Sequence, residues 1–217
     1  MPRPKPKSPL PPDVRREIEK RVICWREQGS RLISRNRPLH SAPMKLVRWK
    51  RFTWDLTQLP PLDRLLPDQY VVRPAARDEA KLVNHVVFTT LTLDAAWCDT
   101  LQLFRDRLAA QLDQAFARET APALVIMHGS RIIAASVVST EADAASNLVS
   151  GPCVLAEYGN RGLGTALLHQ TLEFLRGSGL ARATAVTKDN VAACKFVYPK
   201  FGSTSEPFDF AQQLAPT

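Results

Sequence analysis

Apolar residues recur at regular intervals from Gln69 onward, and their spacing predicts alternating strands and helices. Alternating or short continuous apolar runs predict strands at residues 69–73, 123–128, 131–139, 148–155, 183–187 and 203–213. Apolar steps of three and four residues predict helices at residues 77–90, 95–119, 162–176 and 191–198. The order β-α-α-β-β-β-α-β-α-β spans roughly 145 residues, which is within the size of one domain.

The first 12 residues have a different composition. They contain six prolines and three basic residues, which predicts an extended and disordered tail. Asp13 then provides a helix cap, and the apolar residues that follow recur at helical spacing until Gly29. A basic helix is therefore predicted after the tail.

Residues 44–66 show no single period. Their tryptophans, phenylalanine and leucines are interrupted by Pro60 and Pro61, which fit neither a helix interior nor a central strand. We interpret this stretch as an irregular wrap or short helices docked on the main domain. The predicted organisation is a disordered tail at 1–12, a basic helical or irregular extension at 13–68, and a main domain at 69–217.

The positive charge of the chain is concentrated at its start. Residues 1–53 hold 15 basic and 4 acidic residues, whereas the remainder holds 14 basic and 17 acidic residues. Such a segment attracts anionic partners such as nucleic acid, acidic proteins or an acidic membrane face. With Gly29 at a turn, it fits a helix-turn-helix that contacts phosphates, but a solvated or docked basic face explains it better, because any basic amphipathic helix gives the same pattern.

Targeting signals and metal ligands are both sparse. No run approaches the roughly 20 apolar residues that cross a bilayer, and the amino terminus lacks the apolar centre of a secretory signal, so a cytoplasmic location is expected. Cys24, Cys98, Cys153 and Cys194 are widely spaced without a C-x-x-C pair. Reduced thiols without a metal site are therefore predicted, and Cys153 is expected to be a small core residue rather than a nucleophile.

The sequence CVLAEYGNRGLGT at 153–165 is the segment most indicative of chemistry. A predicted strand ends in a turn that contains Gly159, Gly162 and Gly164, and a helix begins at once. Unpaired amides and partial positive charge at a helix start attract phosphate, and glycine lets the anion approach the backbone. The spacing is that of neither a P-loop nor a dinucleotide fold, and the turn has no lysine.

This turn and a second segment resemble motifs of the GNAT superfamily of acyl-coenzyme A-dependent N-acyltransferases. In EYGNRGLGTALL, Gly162 and Gly164 match the last two small residues of the family's coenzyme A signature. In DNVAACKFVYPKFG, Asn190, Ala193 and Phe196 match the family's second motif. The resemblance covers residues 69–213 and implies an α/β fold of the α+β kind, with a mixed, mostly antiparallel central sheet flanked by helices.

The chain departs from the family pattern at two positions that matter for chemistry. The signature's glutamine or arginine is replaced by Gly159, and Arg161 is the charge available to compensate. The family's tyrosine is expected directly after Phe196, but Tyr198 comes one residue late. Since one residue turns a side chain by about 100° around a helix, either the helix end is bulged or the tyrosine's role is lost.

The strand that opens in this family corresponds to residues 148–155, which contain Pro152. Because proline cannot donate to a β-ladder, a bulge or strand opening is expected there. The resemblance implies that coenzyme A contacts this strand, the turn and the second motif. The implied cofactor-binding residues are Cys153, Val154, Leu155, Gly159, Asn160, Arg161, Gly162, Leu163, Gly164, Thr165, Asn190 and Ala193.

The reaction implied by the resemblance is direct attack of a primary amine on the thioester of acetyl-coenzyme A, without a covalent enzyme intermediate or a metal. A backbone amide near Val154 or Leu155 would stabilise the oxyanion. Asn190 would bind the pantetheine arm or an ordered water. Tyr198 would protonate the departing thiolate.

No single general base stands out: Glu157 follows the strand at a common family position, but that position more often lies at the surface beside the cofactor. Glu141 and Asp143 are alternatives, for which solvated surface charge is the simpler explanation. The acceptor, an amine-bearing small molecule or protein, cannot be read because acceptor loops vary on one fold. The alternative function is an inactive GNAT-fold scaffold with a nucleic-acid-binding segment at residues 1–53.

Overall fold

The computed structural model describes residues 47–98, 100–117 and 123–209. The predicted tail and basic helix lie outside these residues. The strands described are β1 (Trp49–Asp55), β2 (Tyr70–Pro74), β3 (Ala123–His128), β4 (Arg131–Val137), β5 (Cys153–Val154), β6 (Arg182–Lys188) and β7 (Thr204–Phe208). The α-helices described are α1 (Ala80–Leu93), α2 (Leu101–Ala117), α3 (Leu163–Gly177) and α4 (Ala192–Phe196).

These strands form two antiparallel sheets. One contains β2, β3, β4 and β5 in that order, and in the other β1 lies between β6 and β7. Every neighbouring pair in the two sheets is antiparallel. The predicted class, helices flanking a mostly antiparallel arrangement of strands, is therefore confirmed.

Alternation along β3 explains how helices cover both faces of the four-stranded sheet. Val125 packs in one core cluster with the apolar residues of α1 and α2. Leu124 and Ile126 point to the opposite face, where Leu163 and Leu167 of α3 cover them. Later leucines of α3 pack against the three-stranded sheet. Helix α3 therefore bridges the two sheets.

Strand β1 corrects the interpretation of residues 44–66 as irregular. Phe52, Trp54 and the following Leu56 are buried, whereas the residues between them are at least partly exposed. This period of two is typical of a strand with one buried face, and β1 pairs with β6 over its whole length. The interpretation was wrong for residues 49–55, because the prolines that break the pattern come after the strand, from Pro60 onward. Residues 59–66 form neither helix nor strand, as expected.

The strand predicted at 148–155 is interrupted. Leu148 pairs with Val138, and the next residue to pair with β4 is Cys153, which lies opposite Ala135. Between these two pairs, β4 has two residues fewer than the strand that carries Leu148 and Cys153. Gly151 has a positive φ of 65° in this bulge, a conformation that glycine adopts without steric cost. The bulge expected beside Pro152 is therefore present, and β5 is shorter than predicted.

The helix predicted at 95–119 begins later, at Leu101. The carboxylate of Asp94 accepts a hydrogen bond from the Ala96 N–H (2.9 Å). The carbonyl of Asp94 accepts another from the Trp97 N–H (2.9 Å). These bonds close a turn between α1 and α2, and the apolar spacing alone could not separate that turn from the helix.

Candidate active site

The two sheets are joined at Asn147. Its backbone N–H donates to the Thr184 carbonyl of β6 (2.9 Å), and its side-chain oxygen accepts from the Thr184 N–H (2.9 Å). Its side-chain amide donates to the carbonyls of Ser139 (3.2 Å) and Glu141 (2.9 Å), which follow β4. Asn147 is buried, so one side chain fixes the point where the sheets meet.

Beyond Asn147 the sheets diverge, and a cleft of about 570 Å³ lies between them. Pro152, Cys153 and Val154 line one side of this cleft. Thr187 of β6 lines the other side, and the first turn of α3 closes one end. The structure therefore contains the strand opening that the sequence predicts.

The backbone amide of Val154 faces this cleft. Successive N–H groups of a strand point to opposite sides. The Leu155 N–H donates to the Ile133 carbonyl of β4 (3.0 Å), so the N–H of Val154 points away from β4 and toward the opening. Of the two backbone amides considered as donors to an oxyanion, that of Val154 is therefore free to donate into the cleft, whereas that of Leu155 is already bonded to β4.

The turn before α3 presents a row of unpaired amides. Asn160 and Gly162 have positive φ values of 58° and 80°, which directs the chain sharply into the helix. No N–H group of residues 160–165 donates to an acceptor within the described part of the chain. The N–H of Gly159 differs, because it donates to the Ala156 carbonyl (3.0 Å). Such a helix start attracts anions through its free amides and its dipole.

Basic side chains flank this helix start. Arg161 donates to the Tyr70 hydroxyl (3.0 Å) and to the Glu157 carbonyl (3.1 Å), which fixes the guanidinium beside the turn. An adjoining cavity of about 430 Å³ is lined by one acidic and three basic side chains, those of Arg64, Arg161 and Lys200. Lys200 also lines the cleft. The end of the cleft at α3 therefore has a positive potential.

Tyr198 lies one residue after the position expected for the family's tyrosine, and the end of α4 is widened by one residue to accommodate it. The Val197 N–H donates to the Ala193 carbonyl (3.0 Å), as in an α-helix. The Tyr198 N–H donates to the same carbonyl (2.8 Å), five residues back, which is the bond of a π-type turn. Of the two alternatives for this tyrosine, the structure has the bulged helix end.

Tyr198 is buried against two neighbouring rings. Its ring centroid lies 5.3 Å from that of Phe52 and 5.7 Å from that of Trp54. A Cβ on Gly151 would lie 2.1 Å from the Tyr198 hydroxyl oxygen, so the two residues are in direct contact. Burial raises the pKa of Tyr198 above its ordinary value of 10. The phenol therefore keeps its proton at neutral pH.

A second cavity, of about 310 Å³, meets the cleft at Tyr198. Leu91, Trp97, Ser150, Thr187 and Tyr198 line both spaces. The rest of the second cavity is formed by one face of α2, by the loop after β4 and by aromatic side chains. The cleft and the cavity therefore approach Tyr198 from two directions.

Most of the predicted cofactor-binding residues lie along the cleft. Its lining includes Cys153, Val154, Gly159, Asn160, Gly162, Leu163, Gly164, Thr165 and Ala193. Arg161 lines the adjoining basic cavity, and Leu155 is buried without lining the cleft. Burial raises the pKa of the Cys153 thiol to about 12, which fits a core residue and not a nucleophile.

Two predicted residues are not brought to this site. Glu157 is exposed, its carboxylate accepts from the Arg131 guanidinium (2.8 Å), and it lines neither space. Asn190 is also exposed and lines neither space. Of the alternative carboxylates, Glu141 lines the second cavity, whereas Asp143 does not.

Lys188 lines neither space but lies directly behind Trp97, and sequence reasoning missed it. It is 1% exposed at the end of β6, and its ammonium donates to the Ala96 carbonyl and the Thr100 hydroxyl. The ammonium also lies 5.7 Å from the centroid of the Trp97 ring. Lysine is rarely buried, and nothing in the spacing of neighbouring residues distinguishes this one from a solvated lysine.

Neither a metal centre nor a membrane span is found in the described part of the chain. No group of three or more His, Cys, Asp or Glu residues there is placed to hold a metal ion. None of the described helices combines the length and apolar character needed to cross a bilayer.

A sequence model of the acetyltransferase (GNAT) family matches residues 89–202, which include both the glycine turn and Tyr198. No curated protein matches the chain in sequence.

Solved structures similar to the chain share its fold. A Drosophila protein is 14% identical with a TM-score of 0.51, over 74% of this chain and 49% of its own. A GNAT-family acetyltransferase from Colwellia psychrerythraea is 15% identical with a TM-score of 0.50, over 74% of this chain and 53% of its own. A glucosamine N-acetyltransferase region of a fungal multi-domain β-N-acetylglucosaminidase is 13% identical with a TM-score of 0.51, over 74% and 20%. The chain thus spans about half the length of the first two.

Proposed function

The chain belongs to the GNAT acetyltransferase family, and we propose that it is an N-acyltransferase that moves an acetyl group from acetyl-coenzyme A to a primary amine. The observation that carries the proposal is that two spaces meet at Tyr198. One is the cleft between two separated strands, which has the free amides of a helix start at one end. The other is the second cavity. Such an arrangement suits a donor and an acceptor that enter from different sides and react where the two spaces meet.

In this proposal the pyrophosphate of coenzyme A binds at the start of α3. The free amides of residues 160–165 donate to it, and the helix dipole, Lys200 and Arg161 add positive potential. The pantetheine arm lies in the cleft of about 570 Å³, where the exposed edges of β5 and β6 offer hydrogen bonds to its amides. This course delivers the thioester to Tyr198.

The proposed chemistry forms one bond and breaks one. The neutral amine attacks the thioester carbonyl, which forms the C–N bond and places negative charge on the carbonyl oxygen. The N–H of Val154, which points into the cleft, is the donor for this oxyanion. The attacking nitrogen then carries an extra proton, which it gives to water in the second cavity. As the intermediate collapses, the C–S bond breaks, and the sulfur takes the hydroxyl proton of Tyr198.

Tyr198 suits this last step because it lies where the cleft meets the second cavity and its phenol carries a proton at neutral pH. A proton from water restores the phenol after each cycle. The acceptor enters as an ammonium and loses one proton before attack. Glu157 binds Arg131 outside the site, so we assign this proton to water in the second cavity, with Glu141 as the carboxylate on its wall.

The experiment that tests the proposal is calorimetric titration of the full chain with acetyl-coenzyme A, using two variants of Thr165. Thr165 lies in the first turn of α3 and lines the cleft. The negative charge of Thr165→Asp stabilises the helix through its dipole but repels pyrophosphate. The Thr165→Asn side chain has a size similar to that of aspartate but no charge. We expect Thr165→Asp to weaken binding at least tenfold and Thr165→Asn to change it less than threefold.

Unfolding temperature provides the control, because neither substitution should lower it. The proposal fails if the unaltered chain does not bind acetyl-coenzyme A, and this result would favour the inactive scaffold. If the Thr165→Asp variant binds acetyl-coenzyme A as tightly as the unaltered chain, the pyrophosphate does not bind at the start of α3. The nucleic-acid partner of residues 1–53 stays a separate prediction, for which the slope of binding affinity against salt concentration is the measurement.

A further inference from the structure

The second cavity has an aromatic wall. Trp97 contacts Trp49 (5.9 Å between ring centroids) and Phe104 (5.4 Å), in tilted and edge-to-face arrangements. Trp49 also contacts Phe104 (6.4 Å), so the three rings form one continuous patch. All three line the cavity, and leucine, valine and alanine side chains extend this patch on its flanks. Such a surface favours a flat or apolar ligand body.

The charges around this cavity are few and balanced. Among the described residues that line it, Arg107 is the basic residue and Glu141 the acidic one. The remaining polar groups are neutral, such as Gln111 and Gln114, which follow Arg107 on the same face of α2. A polyamine would need several carboxylates here, and a polyanion would need several cations. A ligand with a single charged group fits this lining better.

The aromatic wall is fixed from behind. Lys188 binds the carbonyl of Ala96 and the hydroxyl of Thr100 on either side of Trp97, and its ammonium lies 5.7 Å from the Trp97 ring centroid. The turn that carries Trp97 is therefore anchored to β6 by a buried cation. A volume of about 310 Å³ is at the lower end of the range for small-ligand pockets, which suits a compact molecule.

We propose that the acceptor is a small monoamine with an aromatic or otherwise apolar body, an inference that rests on the proposed acyl transfer. Its amine lies at Tyr198, where the cavity meets the cleft. Its body packs on Trp49, Trp97 and Phe104. Gln111 and Gln114, which line the same cavity, are left to bind a single polar substituent.

The test compares four amines as acceptors for acetyl-coenzyme A, with thiol release as the readout. These are 2-phenylethylamine, spermidine, glucosamine and a short peptide with a free amino terminus. We expect kcat/KM for 2-phenylethylamine to exceed the other values at least tenfold. Phe104→Ala should raise its KM at least fivefold, whereas Leu103→Ala, on the exposed side of α2, should change it less than twofold.

A second readout keeps the two proposals separable. Binding of 2-phenylethylamine alone is measured by tryptophan fluorescence, because Trp49 and Trp97 line the cavity. If the chain acylates spermidine, glucosamine or the peptide in preference, the acceptor inference is wrong while acyl transfer stands. If it binds acetyl-coenzyme A but neither binds nor acylates 2-phenylethylamine, the inference is also wrong. If the chain binds 2-phenylethylamine but does not bind acetyl-coenzyme A, the cavity assignment is supported and acyl transfer is contradicted.

Discussion

The hydroxyl of Tyr198 occupies the space where a side chain on Gly151 would begin. A Cβ on Gly151 would lie 2.1 Å from the hydroxyl oxygen, far inside van der Waals contact. Gly151 also has a positive φ of 65°, which side chains disfavour. The bulge before β5 and the tyrosine at the end of α4 therefore fit together because residue 151 has no side chain.

Gly151→Ala should damage both stability and activity. Positive φ costs about 1–2 kcal/mol for alanine, and overlap with the hydroxyl adds roughly 1–3 kcal/mol. We expect the free energy of unfolding to fall by about 2–5 kcal/mol in urea titrations, and kcat to fall at least tenfold because Tyr198 is displaced. Gly129→Ala is the matched control, since Gly129 has a φ of 58° and nothing within 4 Å of its Cβ position. Equal losses in both variants would show that only backbone strain matters.

Tyr198→Phe removes the proposed proton donor and keeps the ring. The contacts with Phe52 and Trp54 involve the ring and not the hydroxyl, so the unfolding free energy should change by less than about 1 kcal/mol. We expect kcat to fall about 100-fold with an unchanged Kd for acetyl-coenzyme A, which is typical of a lost general acid. Tyr70→Phe should change kcat less than threefold. A wild-type kcat in the Tyr198→Phe variant would assign the thiolate's proton to water.

Tyr70 and Tyr198 should titrate in a defined order. The hydrogen bond from Arg161 lowers the pKa of Tyr70, whereas burial raises the pKa of Tyr198. Tyrosinate absorbance against pH should therefore show Tyr70 ionising below pH 10 and Tyr198 above it. Because the raised pKa means that folding excludes tyrosinate, stability from Tyr198 is complete below pH 10 and is lost as pH rises further. The Tyr198→Phe variant should lack the last step. If the last ionisation step persists in the Tyr198→Phe variant, it belongs to another residue.

The motifs and the elements were predicted from different kinds of information. The glycine turn and Tyr198 carried local patterns, so the cleft residues around Gly162 were found from sequence. Strand β1 was missed because a period of two at Phe52, Trp54 and Leu56 is short and adjoins a proline-rich stretch. Asn190 was placed by motif alone, and its side chain is exposed. Motif position gives the backbone course better than the direction of each side chain.

Long-range hydrogen bonds were beyond any local pattern. Lys188 reaches the turn between α1 and α2, 92 residues away, and Asn147 reaches Thr184, 37 residues away. Neither residue type predicts burial, and neither partner lies in the same segment. Tertiary packing alone decides that these two polar residues lie inside.

Asn147→Ala should destabilise the junction of the sheets. The side chain makes hydrogen bonds to Ser139, Glu141 and Thr184, and their backbone partners would be left buried and unpaired. We expect the unfolding free energy to fall by about 3 kcal/mol. Asn84→Ala, which removes one 3.4 Å contact at the surface of α1, should cost less than about 1 kcal/mol. A similar cost for both would mean that the junction is held by strand packing instead.

Lys188→Met should loosen the aromatic wall without removing its rings. Methionine has a similar length but cannot donate to the Ala96 carbonyl or the Thr100 hydroxyl. With the turn released, we expect the KM for the acceptor amine to rise at least fivefold, while the Kd for acetyl-coenzyme A changes less than twofold. Trp97 fluorescence should shift to the red as its ring gains contact with water.

Lys195→Met is the control for charge, because Lys195 is exposed on α4 and lines neither space. A general loss of stability in Lys188→Met would lower kcat and raise both constants together. A selective rise in the acceptor KM instead assigns Lys188 to positioning the turn between α1 and α2. If Lys188→Met and Lys195→Met behave alike in both constants, the buried ammonium does not hold the acceptor wall, and aromatic packing among Trp49, Trp97 and Phe104 is sufficient.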